Sequence, residues 1–292
     1  MSQRCKIWLF AVILVLPLFS ASAQEYEIRL RRANKPGDRI QTTIAAREIK
    51  EMSATANGQP FQSEKQDSTV EFDGVVEILK VEAKGRATKV SATVDRLVKK
   101  GTGGSSVIAP KGATIIASVN GLKQAYLING SPAGAEATKA LDLVFALSRG
   151  GPTDDEIFGT KEKKKVGESW NINAALAKKG LVETLRLPVK ALSGKVTLKG
   201  IVNRAGGEAL KISADMVIQA VPPLPANLVM DKSTAEARLE GEFPVDFAHQ
   251  LPDERMNMKF TFAAHGEKPD GGKVLMTIRL ENTTQAKRTL LK

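Results

Sequence analysis

The sequence predicts a mainly β fold (β-rich α+β). Two antiparallel β-meander halves form curved sheets or half-barrels and are joined by one helix. Three observations lead there. Apolar and polar residues alternate over most of the chain, which is the period of a half-buried strand. Asn-Gly pairs and other glycine turns interrupt the alternation at short intervals, as hairpins require. One stretch near the middle switches to helical spacing.

The chain opens with "MSQRCKIWLFAVILVLPLFSASAQ". Arg4 and Lys6 give a positive start, Ile7 to Phe19 is apolar, and Ala21-Ser22-Ala23 is a small-x-small site. These three parts make residues 1–23 a secretory signal peptide, cleaved between Ala23 and Gln24. The apolar run is shorter than the about 20 residues that a membrane-crossing helix needs, so no transmembrane segment is expected in the mature chain. The sole cysteine, Cys5, precedes the apolar run, where it cannot take a lipid anchor. The mature chain is therefore cysteine-free, although it is directed to a compartment that permits disulfides. It is long enough to bury a core without such cross-links. Export to the bacterial periplasm or beyond is the expected localisation.

Residues 24–130 form the first half. In "EYEIRLRRA", Tyr26, Ile28 and Leu30 alternate with charges and predict a strand. From Asp38, Ile40, Thr42 and Ile44 alternate again, and Asn57-Gly58 predicts a two-residue hairpin. Two strands follow, with Val70, Phe72, Val76, Ile78 and Leu79 in one and Val90, Ala92 and Val94 in the other. Lys84-Gly85 turns between them, and Gly74 suggests a bulge. "KGTGGSS" reads as a loop: it lacks the GxxxxGK[ST] pattern of a phosphate cradle. Two short strands then flank Asn120-Gly121.

Residues 131–165 hold the helix and a basic linker. Ala137, Leu141, Val144, Phe145 and Ser148 recur at helical spacing, and Gly150-Gly151 ends the run. The helix is expected from about Ala133 to Leu147, placed as a lid on a sheet. In "PTDDEIF", Thr153 and Glu156 match a capping box.

Residues 166–292 form the second half, read as strands throughout, "VGESWNINAAL" and "GLVETLRLPVKALSG" included. Turns fall at Gly206-Gly207, "VPPLPAN" and "PDGGK". Each half opens on a basic residue and a Gly-acid pair, Gly37-Asp38 and Gly167-Glu168. Each continues to a strand with an internal glycine (Gly74, Gly200), then to a strand reading "KVSATV" or "KISADM". An ancient duplication and the common texture of any two meanders both account for this. Gly37, Gly167 and Trp170 are accordingly structural candidates, Trp170 plugging one end of a sheet core beside Ile172.

Chemistry finds little support. The two histidines, His249 and His265, are too few and too far apart for a zinc site, and no HExxH, CxxC or GxSxG occurs. Asp154, Asp155 and Glu156 cluster, but acids at a helix start serve its dipole. Asn282-Thr283-Thr284 matches a glycosylation acceptor, without meaning in a bacterial protein. No enzyme activity, catalytic residue, metal or cofactor is expected. Without Arg4 and Lys6 the chain has 41 Lys and Arg against 32 Asp and Glu, a net +9. That balance attracts anionic neighbours. Nucleic acid is not expected as a partner, since the basic residues are scattered and tyrosine is limited to Tyr26 and Tyr126.

"VGESW", "GDRIQTTI" and "GEFPVDFAHQLPDERMNMKF" together resemble a group of uncharacterised exported bacterial proteins that carry a V-G-[DE]-x-W segment. The resemblance implies export and a β-rich fold, and it implies no activity. The expected function is a non-catalytic envelope protein that binds a lipid or other apolar or amphiphilic molecule in a concave sheet. The alternative is a structural or interaction module that contacts an anionic envelope polymer or another protein.

Overall fold

The computed structural model describes residues 24–121, 123–148, 150–185, 188–220, 228–248, 250–267 and 271–291. Residues 1–23, expected as a signal peptide ending at Ala23, together with His249 and residues 221–227, where the sequence suggested a turn, lie outside them. Strand accounts for 65% of the described residues and helix for 10%, so the fold is mainly β. The strands are β1 (Arg39–Ala56), β2 (Gln59–Val81), β3 (Ala87–Gly101), β4 (Gly104–Ala109), β5 (Thr114–Asn120), β6 (Lys123–Ile128), β7 (Ser131–Pro132), β8 (Ser169–Asn171), β9 (Val189–Arg204), β10 (Gly207–Ala220), β11 (Leu228–Pro244), β12 (Asp253–Glu267) and β13 (Lys273–Leu291). The helices are α1 (Ala135–Val144), α2 (Asp154–Phe158) and α3 (Ala174–Leu185).

All thirteen strands join one antiparallel sheet that does not close into a barrel. Its order is β7-β6-β5-β3-β2-β1-β13-β12-β11-β10-β9-β8, with β4 on β3. The two halves therefore share a single sheet, fused where β13 pairs with β1 from Arg39–Leu291 to Ala56–Val274. Hairpin chemistry sets the neighbours. Asn57 and Gly58 both take positive φ, 49° and 79°, the pair that a tight I′ turn demands.

The halves are built alike, each from six strands in order: β1, β2, β3, β5, β6, β7 and β8 to β13. Lys35 to Asp38 and Lys165 to Glu168 fold into the same turn. Its glycine sits at φ +88° in one and +90° in the other. Its lysine N–H donates to the acid, Lys35 to Asp38 Oδ2 at 2.7 Å and Lys165 to Glu168 Oε2 at 2.9 Å. Its glycine N–H donates into the next strand, to the carbonyl of Ile78 or of Leu198. Ile78 then faces Val90 as Leu198 faces Ile212, with a register shift just beyond each. Val90 and Ile212 are the second residues of "KVSATV" and "KISADM". The partner of Gly74, however, is Gly194 and not Gly200. A Cβ on Gly74 would collide with the carbonyl oxygen of Thr93, and one on Gly194 would lie 2.6 Å from that of Asp215, whereas Gly200 has nothing within 4 Å.

One face of the sheet, here the inner face, carries the core. Around α1, Phe72 and Leu141 are fully buried, and Phe145 meets the Phe72 ring edge-on at 5.2 Å. Such a pair adds about 0.5–1.5 kcal/mol to its burial. The helix is two to three residues shorter at each end than expected. With Ala140, Leu141 and Val144 buried, it fills the core instead of roofing a space. A second cluster joins Leu198, Leu210, Ile212 and Phe243 to Phe158 of α2 and to Tyr26, Ile28 and Leu30.

Two expectations are corrected. "EYEIRLRRA" is not a strand: it makes one backbone bridge, Tyr26 to Lys164, and otherwise lies over the core with its alternate residues buried. Residues 174–185 form α3, so three helices among the described residues replace the single one. Asn173 starts α3 by accepting the Leu176 N–H on its side chain at 3.2 Å, a cap that helix-forming Ala174, Ala175 and Leu176 extend.

Candidate functional site

Cross-strand pairing places side chains of neighbouring strands in rows on one face, about 4.5–5.5 Å apart. Where β11, β12, β13 and β1 run side by side, the inner face reads as five rows. They are Met230–Ala264–Met276–Ala54, Phe262–Ile278–Met52, Phe260–Leu280–Lys50, Met258–Asn282–Glu48 and Met256–Thr284–Ala46. Met216 occupies the same face of β10, opposite Ala237. Six of the seven methionines thus share the inner face; Met1, the seventh, lies outside the described residues.

The rows are apolar but incompletely covered. Helices lean mainly on β1, β2 and β6 (α1) and on β9 (α3). Met52, Met230, Met258, Phe262, Met276, Ile278 and Leu280 are half-buried, and Met256 is 38% exposed. One long side of the stripe turns polar. The side chains of Glu48 and Lys50 make no ion pair or hydrogen bond among the described residues, while the side chain of Glu64, opposite Met52, accepts only from Gln66 there. The Oδ1 of Asn282, between Met258 and Glu48, is buried without a partner. The Asn282 acceptor pattern sits inside a strand paired on both sides, where no glycan fits.

The opposite end of the inner face is closed by charge. Arg31, on the N-terminal segment, donates to Asp154 at 2.8 Å and to Glu254 at 2.6 Å, and Arg288 donates to Glu254 at 2.6 Å. Burial works to raise the carboxyl of Glu254, but Arg31 and Arg288 together outweigh it and hold it below the usual carboxylate range. The acids of "PTDDEIF" are all engaged. Asp154 takes Arg31, Asp155 accepts the Leu30 N–H at 2.6 Å, and Glu156 accepts from Thr153 N–H and from Lys84. Burial pushes the Asp155 carboxyl up, while Lys84 and the Thr153 N–H pull Glu156 down to about 2. These carboxylates fasten the segment and cap α2.

The remaining sequence candidates separate. Gly37 and Gly167 shape the paired turns at the two unit starts. Trp170 pairs with Val196, and its Nε1–H donates to the Phe158 carbonyl at 2.7 Å. His265 is exposed on β12, 2.5 Å from Asp231. The described residues hold no cluster of metal-ligating side chains and no helix long and apolar enough to cross a membrane. On the outer face a depression of about 610 Å³ spans β10 to β13. Charges of both signs line it, and some of them are paired, as Arg238 with Glu240 and Arg279 with Glu281. The methionine rows escaped sequence reasoning. The spacing Met256-x-Met258 was visible, but the adjacency of β13 to β1 was not.

No family model matches the chain, and no curated protein does. Among solved structures, an outer membrane channel from Pseudomonas putida F1 aligns over 89% of this chain and 100% of its own, at 10% identity and a TM-score of 0.19. A superposition that loose establishes no shared fold.

Proposed function

We propose that this is an exported, non-catalytic protein of the bacterial envelope that binds an apolar or amphiphilic molecule along the inner face of its sheet. One observation carries the reading: the methionines gather on one face, at rows that the helices leave half-covered. Methionine is unbranched and polarisable, and it suits surfaces that must fit flexible apolar partners. An exposed apolar stripe with a polar border is the form that such sites take. The signal-like start, Arg4 to Ala23, supports export.

The test uses residues 24–292 and N-phenyl-1-naphthylamine, whose fluorescence rises in apolar surroundings. Saturable enhancement that Ile278→Asp abolishes supports the reading. No saturable enhancement, together with no retained lipid by native mass spectrometry of protein taken from its own envelope, sinks it. An N-terminus other than Gln24 on the exported protein would refute the cleavage site.

A further inference from the structure

We infer that the site prefers single-chain amphiphiles with an ammonium head over those with a carboxylate head, an inference that rests on the proposed ligand-binding reading. The polar border of the rows is rich in acceptors. Asn282 Oδ1 is buried and unpartnered, and Glu48 is its direct cross-strand partner. Glu64 lies on the same face, opposite Met52 on β2. A buried acceptor without a donor is a costly arrangement that a bound N–H relieves. Lys50, two residues from Glu48 and on the same face, is the cation of this border; with Glu48 and Glu64 the local balance is one negative charge.

An ammonium offers three donors, enough for Asn282 Oδ1 and the Glu48 carboxylate together. A carboxylate head would meet the negative Glu48 and Glu64, with Lys50 as the facing cation. The adjoining Leu280, Met258 and Ile278 would take the alkyl tail. Met258 and Glu48 are the cross-strand neighbours of Asn282 on this face. The sign of the preference is diagnostic, because residues 24–292 as a whole are basic, with 41 Lys and Arg against 32 Asp and Glu, a net +9. General electrostatic attraction therefore favours the anion, and only the local border favours the cation.

The experiment displaces N-phenyl-1-naphthylamine from residues 24–292 with dodecylamine and with dodecanoate, both below their micelle-forming concentrations at pH 7. Dodecylamine is expected to displace the probe at about tenfold lower concentration, the effect of one charge-assisted hydrogen bond. Glu48→Gln should bring the two competitors toward parity, and Lys50→Gln should widen the gap, each ratio being read against that variant's own probe affinity. Equal potencies, a dodecanoate preference, or a ratio indifferent to Glu48→Gln overturns the inference while leaving the apolar site in place. Failure of the probe to bind at all overturns both.

Discussion

Gly74, Gly194 and Gly200 make a three-way test of how the two units are built. In Gly74→Ala the new methyl falls on the Thr93 carbonyl oxygen, which belongs to the paired strand and cannot rotate aside. Overpacking of this kind costs about 1–3 kcal/mol, and the backbone contact places Gly74→Ala toward the upper part of that range. In Gly194→Ala the methyl meets the Asp215 oxygen at 2.6 Å, Ile172 Cδ1 at 2.8 Å and Met216 Cγ at 2.9 Å. The two side chains can give way, so about 1–2 kcal/mol is expected. Gly200→Ala adds its methyl to open space and should stay within about 0.5 kcal/mol of the parent. At roughly 2–4 °C per kcal/mol for a chain of this size, the expected melting points fall by about 5–10 °C, about 2–8 °C and less than about 2 °C. Thermal and urea unfolding of residues 24–292, followed by circular dichroism, reads all three. If Gly200→Ala proves the most damaging, or Gly74→Ala and Gly194→Ala are both silent, the claimed correspondence of the units fails.

Other perturbations follow from the contacts. Trp170→Phe keeps a ring in place but leaves the Phe158 carbonyl without its donor, a loss of about 1–2 kcal/mol that a urea titration resolves. Glu254→Gln takes its charged partner from Arg288 and leaves Arg31 with Asp154 alone; because Arg31 and Arg288 are 35% and 27% exposed, about 1–3 kcal/mol is expected, below the full cost of opening a buried pair. The folded carboxyl of Glu254 is depressed, so its contribution is fully present above its unfolded pKa of about 4.3 and is lost as pH falls through the folded value. The stability gap between parent and Glu254→Gln should hold steady from about pH 7 to 5 and narrow as pH falls below about 4; a gap that does not narrow in acid contradicts the ion-pair account. Lys84→Gln should let Glu156 titrate well above its present value of about 2, visible by carboxyl-carbon NMR.

Alternation carried the fold class because burial on a pleated sheet has period two. Tyr26, Ile28 and Leu30 mark the limit of that signal. They alternate and are buried, yet their backbone joins no ladder, since alternation reports which side chains face a core and not which amides are paired. The segment at 174–185 misled in the other direction. Its Leu181 and Val182 suggested a strand, but Asn173 supplied a cap and the alanines a helical start. The Gly-acid turns were legible because a positive φ calls for glycine and a local hydrogen bond calls for an acid. Gly194 was passed over for Gly200, because a close backbone approach leaves no trace in the sequence beyond the glycine itself. The methionine rows depend on β13 lying beside β1, a contact between the two ends of the described chain, and no local pattern announces it.

The seam between the units also has a bearing on solubility. Along β1 and β13 the outer margin of one unit receives the whole length of the next. The same two margins recur at the free ends of the sheet, and there they shrink to the three residues of β8 and the two of β7. Full-length strands at those places would let one molecule dock on another head to tail without end, as unprotected margins do in fibrils. At the free ends those margins are cut to stubs, so the full-length pairing that joins the two units inside the chain has no counterpart there.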